Sequence, residues 1–281
     1  MDPKLIIHGG FFSESHTNKE VKKAKQHALA DIVRQSSEYL KDHSALETVV
    51  YAVALLEDCE LFNAGLGSQI QSDGKIRLSA SLMDGVSKKF SGVINIEDVK
   101  NPIQIAKKLL QYDDSVLSGE GALNFARENN FPYFNPQTEQ RRREYLQKVE
   151  GSRQGTVGCV AIDAQGRLAA ATSTGGKGFE IPCRVSDSAT VAGNFANGAA
   201  AISCTGVGEN IVSAALAASI ATRVADGFSL KNAADKSFTE LKAFDGFAGI
   251  IGISMSGEVY HCDSHPYMVW ASFDGKVDVF D

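Results

Sequence analysis

The order of its apolar runs constrains the fold of this chain more than any single motif does. Strand-like runs come in groups and helical stripes come in pairs, which differs from the strict strand–helix alternation of a parallel sheet. A helical stripe follows the capping box of Ser44 and Glu47, and the runs 157–163 and 167–173 flank a turn at 164–166. Two sheets packed between helix layers would use these pieces. We therefore expect a mixed α/β (α+β) domain.

Apolar spacing and turn residues predict the other elements. Asn101 and Pro102 have the composition of a helix start, and Gly227 is placed to end a helix. The predicted helices cover residues 19–41, 46–58, 101 onward, 119–129, 209–224 and 230–244. The predicted strands cover residues 5–8, 76–83, 90–96, 157–163, 167–173, the vicinity of 191, 199–204, 250–255, 259–262 and 268–272.

The segment 131–155 differs from its surroundings in composition. It begins with two prolines, becomes highly charged and ends with Gly151 and Gly155. These features predict a mobile linker. The basic run 141–143 lies within it between two glutamates, and we interpret this run as a solvated face.

Charge and cysteine content exclude several classes of function. The net charge of −6 is unfavourable for a protein that binds nucleic acid, because phosphate contacts need a basic face. The five cysteines are odd in number and widely spaced, so neither a disulfide framework nor a CxxC metal site is indicated. The sequence shows neither a secretory leader pattern nor a membrane span. We expect a cytoplasmic protein that binds neither membranes nor nucleic acid.

Hydroxyl and glycine residues concentrate at three places in the second half of the chain. These clusters are 155–158, 171–176 and 203–209, and each lies at the end of an apolar run. Taken singly, each is explained by threonine in strands and glycine in turns. Three such clusters at strand ends indicate a site, because α/β proteins build their sites there.

Other catalytic patterns fit poorly. The chain contains neither a G-x-S-x-G elbow nor a phosphate-binding G-x-x-x-x-G-K-[ST] loop. None of the six histidines forms an H-E-x-x-H pattern, and we interpret them as surface or packing residues. A Ser-His-Asp triad stays open, although no motif points to one.

The combined motifs resemble the plant-type asparaginase and isoaspartyl peptidase family, whose members are N-terminal-nucleophile hydrolases. The resemblance covers nearly the whole chain and rests on the order and spacing of many short motifs. In chain order these are residues 5–10, 56–67, 81–85, 101–102, 119–122, 155–158, 172–176, 184–188 and 205–209. The resemblance implies a four-layer αββα sandwich, present as a homodimer of αβ units.

The resemblance implies that the chain cuts itself between Gly155 and Thr156, giving an α chain of residues 1–155 and a β chain of residues 156–281. A threonine hydroxyl is a poor nucleophile without a base. Cleavage frees the α-amine of Thr156, and α-amines titrate near pH ~7.7–8.0. One residue then supplies both nucleophile and base.

The same resemblance assigns the neighbouring catalytic groups. Thr174 would hydrogen-bond the nucleophile hydroxyl, and Asn63 would support the nucleophile. Thr205 and the backbone N–H of Gly206 would form the oxyanion hole. A Thr-Gly pair suits this role, because it offers one hydroxyl and one unobstructed N–H to the developing charge.

Substrate recognition is also implied by the resemblance. Arg184 would bind the α-carboxylate of the substrate with its forked guanidinium, and Asp187 would bind the α-ammonium. Gly206 and Gly208 would complete the substrate site, before a helix N-terminus that favours negative charge. Without the flanking motifs, a surface ion pair would be the simpler interpretation of Arg184 and Asp187. The implied substrates are asparagine and β-aspartyl (isoaspartyl) peptides.

No cofactor is expected apart from a structural sodium ion. The stretch 56–67 resembles the sodium loop of the family, which binds the ion through backbone oxygens. The implied ligands are Leu56, Glu57, Cys59, Phe62, Ala64 and Leu66. Backbone ligands leave little sequence signal, and a tight loop after a helix is the alternative interpretation.

The chain departs from the family pattern at several positions. Phe11 and Phe12 follow Gly9-Gly10 where the family has G-G-A-G, and Ser79 replaces an acidic residue. Cys183 and Ser186 stand where the family often has glycine, and Gln154 stands where His or Asp is common. These departures affect the expected substrate preference and rate of self-cleavage.

Three alternatives remain at this level. A glycosylasparaginase is the nearest enzyme, although the expected cytoplasmic location is against it. A threonine aspartase would carry a long insertion that this chain lacks. A non-processing relative that only binds an amino acid or a partner is disfavoured by the retained Thr156, Thr174 and Thr205.

Overall fold

The computed structural model describes residues 1–11, 18–147, 155–244, 247–265 and 267–281, and these residues form two stacked β-sheets between helices. Sheet A has the strand order β12-β11-β1-β5-β6-β2-β3-β4, and sheet B has the order β10-β9-β8-β7. The strands are β1 Lys4–Phe11, β2 Leu78–Asp84, β3 Phe90–Ile96, β4 Val116–Ser118, β5 Val157–Ile162, β6 Leu168–Thr174, β7 Asn194–Ala196, β8 Ala200–Gly206, β9 Ala248–Ser254, β10 Val259–Asp263, β11 Met268–Phe273 and β12 Val277–Val279. The helices are α1 Lys19–Leu40, α2 Ala45–Glu57, α3 Pro102–Leu109, α4 Gly119–Glu128, α5 Glu139–Leu146, α6 Gly208–Ser213, α7 Leu216–Ala225 and α8 Leu230–Leu241.

Local sequence signals explain the start of α2 and the central hairpin. The Ser44 side chain accepts a hydrogen bond from the N–H of Glu47 (3.2 Å), and the Glu47 carboxylate accepts one from the N–H of Ser44 (3.1 Å). The predicted capping box is therefore present. Strands β5 and β6 pair antiparallel from Val157↔Ser173 to Ile162↔Leu168, as the sequence predicts.

Three apolar clusters separate the layers of the molecule. The first joins α1, α2 and α3 to the outer face of sheet A, and the second joins α7 and α8 to the outer face of sheet B. The third lies between the sheets and includes Ile6, Val160 and Ile251. This order of helices, sheet, sheet and helices confirms the four-layer αββα sandwich.

Alternation along the central strands determines which side chains face the space between the sheets. On β5, Val157, Cys159 and Ala161 belong to the outer cluster, whereas Val160 and Ile162 belong to the inner one. Since side chains alternate along a strand, residues of even number on β5 and β6 face sheet B. On β8 the odd-numbered residues face sheet A, because Ala201 is in the inner cluster.

The predicted helix 209–224 is wrong as a single helix. The structure has α6 and α7 in its place, separated by Ala215, whose φ of 45° lies in the left-handed region. A non-glycine residue costs roughly 1–2 kcal/mol in this conformation. Docking of both short helices offsets this penalty, since Ile211 and Leu216 are fully buried on either side of the break.

The segment predicted as a linker contains helix α5, which is anchored to the body of the protein. Arg141 is only 4% exposed, and its Nε donates to the carbonyl of Gly67 (2.8 Å). Its guanidinium also pairs with Glu144 at 2.6 Å. The interpretation of Arg141 as part of a solvated face is therefore wrong. The predicted linker residues 148–154 lie outside the described residues.

Smaller differences concern chain ends and short strands. Strands β4 and β12 have three residues each and were not predicted. The Asn101 side-chain oxygen makes no capping hydrogen bond to α3, and the side-chain amide nitrogen donates to the carboxylate of Asp58 (2.9 Å). Within the described ranges, no helix combines the length and the apolar character that crossing a membrane requires.

Candidate functional site

The three hydroxyl–glycine clusters meet at one end of the two sheets. Thr156 directly precedes β5, Thr174 ends β6, and Thr205 lies near the end of β8. Thr156, directly before β5, and Thr174 of β6 are at even positions, and Thr205 of β8 is at an odd position. All three side chains therefore face the space between the sheets. A pocket of about 210 Å³ opens there. Its lining comprises Phe11, Gly155, Thr156, Thr174, Gly176, Lys177, Arg184, Ser186, Asp187, Gly206, Val207, Gly208, Glu209 and Phe247.

The predicted nucleophile is buried and held by a serine. Thr156 is 7% exposed, and its Oγ1 lies 3.0 Å from Oγ of Ser188. Ser81 of β2 donates to the carbonyl of Ser188 (2.6 Å) and so fixes the turn that carries this serine. Ser188 belongs to the motif 184–188, but the motif predicts no role for this serine. A serine in a polar turn gives no local signal that it will reach a residue 32 positions away.

A buried polar network lies beneath Thr156. Oγ of Ser203 is 2.9 Å from Nε2 of His8 and 2.7 Å from Oγ1 of Thr172, so the network joins β1 and β6 of sheet A to β8 of sheet B. Burial lowers the pKa of His8 to about 3. A hydrogen bond to the backbone of Thr156 raises this pKa, but its effect is the smaller one. The imidazole is therefore neutral at physiological pH. Gly158 is required above it, because an added Cβ would overlap Ser203 and His8.

The bond predicted to be cut is tightly surrounded. An added Cβ on Gly155 would lie 2.5 Å from Oγ1 of Thr205 and 2.8 Å from the backbone nitrogen of Phe11. Gly10, with a φ of 85°, packs equally closely against Gly155 from the other direction. The Thr205 hydroxyl is buried without a hydrogen-bond partner among the described residues. An unpartnered buried hydroxyl beside a carbonyl group is placed to donate to an oxyanion.

The backbone that carries Thr174 is held by Asn63. The side-chain amide of Asn63 donates to the carbonyl of Gly176 (2.5 Å), and Gly175 donates to the carbonyl of Asn63 (2.9 Å). Asn63 is outside the pocket lining and is therefore a positioning residue. The Thr174 hydroxyl accepts a hydrogen bond from Gly176 (3.2 Å), while the hydroxyl that pairs with Thr156 belongs to Ser188.

Arg184 and Asp187 lie together in the pocket, as predicted. The guanidinium of Arg184 makes two 2.8 Å hydrogen bonds to the carboxylate of Glu209, and these lower the pKa of Glu209 to about 2. Burial raises the pKa of Asp187 to about 7, although the positive charge of Arg184 opposes this shift. Oδ2 of Asp187 has no hydrogen-bond partner among the described residues. A buried, unpaired carboxylate oxygen beside a forked cation suits the two charged ends of an amino acid.

The chain is similar in sequence to known proteins over nearly its whole length. A family model described as asparaginase matches two overlapping segments, residues 1–151 and 139–279. The chain belongs to the asparaginase family. It is 41% identical to an isoaspartyl peptidase/L-asparaginase of Nostoc sp., over 98% of this chain and 93% of the relative. It is 36% identical to an isoaspartyl peptidase of Escherichia coli (91% and 88% covered) and 34% identical to a plant-type L-asparaginase of Pyrobaculum calidifontis (90% and 91% covered).

The departure from the family at Ser186 has a structural role. Oγ of Ser186 accepts a hydrogen bond from the N–H of Ser188 (3.4 Å) and so caps the short 3-10 turn 187–189. This turn carries both Asp187 and the serine that contacts the nucleophile. Position 208, by contrast, has no room for a side chain. An added Cβ on Gly208 would lie 2.8 Å from both Arg184 and Asp187. The departures Phe12 and Gln154 lie outside the described residues.

The departure at Cys183 strains the backbone. Its φ is 65°, in the region that favours the glycine common in the family. The exposed cysteine is held there because its N–H donates to Gln71 (3.1 Å) and its carbonyl accepts from Asn95 (2.8 Å).

The variant Cys183→Gly should therefore stabilise the protein. Relief of a strain of roughly 1–2 kcal/mol, less the roughly 0.5–1 kcal/mol of added chain entropy, leaves a gain of about 0.5–1 kcal/mol. Thermal melting in a Thr156→Ala background keeps every chain in one form, and we expect Tm to rise by about 2 °C. Cys183→Ser is the matched control, since it removes the thiol and keeps the strain. An equal rise in both variants would contradict the backbone explanation.

The predicted sodium loop folds back on the end of α2. The carbonyl of Glu57 accepts from Leu66 (2.7 Å), and that of Cys59 accepts from Phe62 (3.2 Å). Gly65, with a φ of 50°, allows this close return, since an added Cβ would lie 2.5 Å from the Glu57 oxygen. Each of these carbonyl oxygens keeps a second lone pair, which is the kind of donor that a cation held by backbone oxygens requires. Within the described ranges, no group of three or more His, Cys, Asp or Glu side chains could hold a metal ion.

The side chain of Glu57 connects this loop to β6, the strand that ends in Thr174. Its Oε1 accepts hydrogen bonds from the hydroxyl of Ser173 (2.7 Å) and from the N–H of Ile103 at the start of α3 (3.1 Å). Burial raises the pKa of Glu57 to about 8. The two hydrogen bonds lower this pKa, but their effect is smaller than that of burial. Ser173 lies next to Thr174, so Glu57 helps to fix the position of β6 behind the pocket.

Proposed function

We propose that the protein cuts itself between Gly155 and Thr156 and then hydrolyses the side-chain amide of asparagine and of β-aspartyl peptides. One observation carries this proposal. The Thr156 hydroxyl lies in one pocket with Gly155, Arg184 and Asp187, and the Thr205 hydroxyl, unpartnered among the described residues, is buried beside Gly155. The printed names of the relatives, isoaspartyl peptidase and L-asparaginase, support the same substrates.

The proposed reaction begins when the free α-amine of Thr156 takes the proton of its own hydroxyl. Oγ1 then attacks the side-chain carbonyl carbon of the substrate, and the oxyanion accepts hydrogen bonds from the Thr205 hydroxyl and the Gly206 N–H. Collapse of this intermediate expels ammonia or an amine, which takes the proton from the α-ammonium. Water, deprotonated by the same amine, hydrolyses the aspartyl ester and releases aspartate.

Arg184 can bind a substrate while it remains bound to Glu209. Only Nε and Nη2 are used by Glu209, and a guanidinium has five N–H donors. The remaining donors are available to an α-carboxylate. Asp187 would accept the α-ammonium with its unpartnered Oδ2. The ion pair with Glu209 thus orients the guanidinium before the substrate arrives.

Binding of aspartate, the product, should weaken as the pH falls from about 7 to about 5. Asp187 has a pKa raised to about 7, so acid protonates it and removes the partner of the α-ammonium. We expect the inhibition constant of L-aspartate for the wild type to rise about tenfold per pH unit relative to that for Asp187→Asn. Asp187→Asn is the matched control, because it lacks the titrating carboxyl while aspartate and Thr156 titrate in the same way with both proteins. A constant ratio across this range would contradict the assignment of Asp187.

The direct test of the proposed function uses the purified full chain. We expect its mass to divide at Gly155/Thr156 with time, and the processed protein to release aspartate from asparagine and from β-aspartyl dipeptides. Glycosylated asparagine serves as the comparison substrate, and its preference over both others would favour a glycosylasparaginase. A chain that stays whole and releases no aspartate would overturn the proposal in favour of a relative that only binds.

Three further expectations belong to the same proposal. The backbone oxygens of the 56–66 loop would hold a structural sodium ion, two αβ units would form a homodimer, and the protein would act in the cytoplasm. The sodium ion is tested by melting the protein in sodium chloride and in choline chloride of equal ionic strength. Equal Tm values in the two salts would contradict the ion site.

A further inference from the structure

A strip of four aromatic rings runs from the pocket to the surface. Phe11 and Phe247 both line the pocket, and their rings meet edge to face with centroids 5.0 Å apart. The ring of His265 lies 5.1 Å from that of Phe247, and the ring of Tyr267 lies 6.5 Å from that of His265. Tyr267 is 38% exposed, so the strip ends in solvent.

The inner end of the strip is firmly anchored. Phe11 is buried opposite Met268 in the β1–β11 pairing, and its ring tip lies over Gly249, where an added Cβ would be 3.1 Å away. Phe247 is fixed at the start of β9, because its carbonyl accepts a hydrogen bond from Val207 (3.0 Å). Phe11 is one of the residues that departs from the family pattern. The strip is therefore rigid at the point where it enters the pocket.

The strip borders the place of Gly155. An added Cβ on Gly155 would be 2.8 Å from the backbone nitrogen of Phe11. One on Gly206, another residue of the pocket lining, would be 2.4 Å from the carbonyl oxygen of Phe247. Gly155, Phe11 and Phe247 line one pocket, so departure of Gly155 after cleavage would enlarge the pocket that these two rings line. The same pocket contains the charged pair Arg184 and Asp187, which pack against Gly208.

This arrangement determines the direction of the leaving group, if the proposed function holds. The aspartyl part of the substrate is anchored at Arg184 and Asp187, and its carbonyl must reach Thr156. The amine on the other side of the scissile bond then extends away from the charged pair, into the space vacated by Gly155. The side chain of that residue meets aromatic rings, which attract apolar and aromatic groups.

We propose that Phe11, Phe247, His265 and Tyr267 form a leaving-group subsite that selects β-aspartyl peptides whose second residue is aromatic. This inference rests on the proposed function and refines its substrate class. Phe11 and Phe247 are the two rings of the subsite that line the pocket. Asparagine, whose leaving group is ammonia, gains nothing from the strip.

The first experiment compares substrates on the processed wild-type enzyme. We expect kcat/KM for β-aspartyl-phenylalanine to exceed that for β-aspartyl-glycine by about tenfold, and β-aspartyl-lysine to resemble the glycine peptide. Equal values for the three dipeptides, with asparagine also hydrolysed, would overturn the subsite and leave the proposed function intact. Hydrolysis of none of these substrates would overturn the proposed function and the subsite with it.

The second experiment locates the preference. Phe247→Ala should reduce the phenylalanine-to-glycine ratio to near one, whereas Phe247→Tyr should keep it, because the ring is retained. Tyr133→Ala is the matched control, since it removes a ring that is 67% exposed and outside the pocket. The ratio is measured on protein with a Thr156 N-terminus, so that slower processing does not affect it. An unchanged ratio in Phe247→Ala would overturn the subsite.

Discussion

The variant Thr156→Ala should remain a single chain and hydrolyse neither asparagine nor β-aspartyl peptides. The substitution removes the only hydroxyl of this residue, which lies 3.0 Å from Ser188 and next to Gly155. Because one hydroxyl would serve both self-cleavage and hydrolysis, both reactions should be lost together. Intact mass and aspartate release, followed over the same period, measure the two effects.

The matched control for this experiment is Thr156→Ser. It keeps the hydroxyl and the α-amine and removes one methyl group, so we expect slower but measurable cleavage and hydrolysis. Division of Thr156→Ala at the same bond would identify an external protease as the agent. Aspartate release by an uncut Thr156→Ala chain would show that another group is the nucleophile.

The variant Thr205→Val should lower kcat by about 10²–10³ and change KM little. Valine has nearly the shape of threonine, so the buried site stays filled while the hydroxyl is lost. Loss of one oxyanion donor typically raises the barrier by about 2.7–4 kcal/mol. The substrate ground state does not need this donor, so the expected effect falls on kcat. Rates are normalised to the fraction of chains with a Thr156 N-terminus.

Two further variants distinguish loss of the Thr205 hydrogen-bond donor from a change in side-chain packing. Thr205→Ser retains a hydroxyl and should recover most of the rate. Thr172→Val removes a hydroxyl from the network beneath the pocket, where it bonds Ser203 at 2.7 Å, and should affect stability more than kcat. A kcat for Thr205→Val within about threefold of wild type would contradict the role of Thr205 as an oxyanion donor.

Much of the fold could be predicted because its signals are local. The capping box of Ser44 and Glu47 and the period-two alternation of β5 and β6 depend on residues only a few positions apart. The break between α6 and α7 could not be predicted in this way, because Ala215 favours helix by itself. The burial of Arg141 also escaped prediction, since its partner, the carbonyl of Gly67, is 74 positions away and carries no side-chain signal.

The candidate site also has features that the sequence predicts and features that depend on distant residues. The motifs around Thr156, Thr174, Thr205, Arg184 and Asp187 identify residue types that suit the chemistry. The structure places four of them in the lining of one pocket, with Thr205 buried beside Gly155. The motifs say nothing about which side chains contact each other. Ser188 was therefore not predicted as the partner of the nucleophile hydroxyl, and the position of Asn63 outside the pocket lining was not predicted either.

The sequence by itself determined most of the larger elements, the family and the residue types that suit the chemistry, because these depend on residue type and short spacing. Only the tertiary structure decided how these residues are oriented and how they ionise. His8 and Ser203 are 195 positions apart, and they meet only because sheet A stacks on sheet B. The raised pKa of Asp187 likewise comes from burial between elements. Hydrogen bonds and desolvation depend on distances of a few ångströms, which the packing of the two sheets sets.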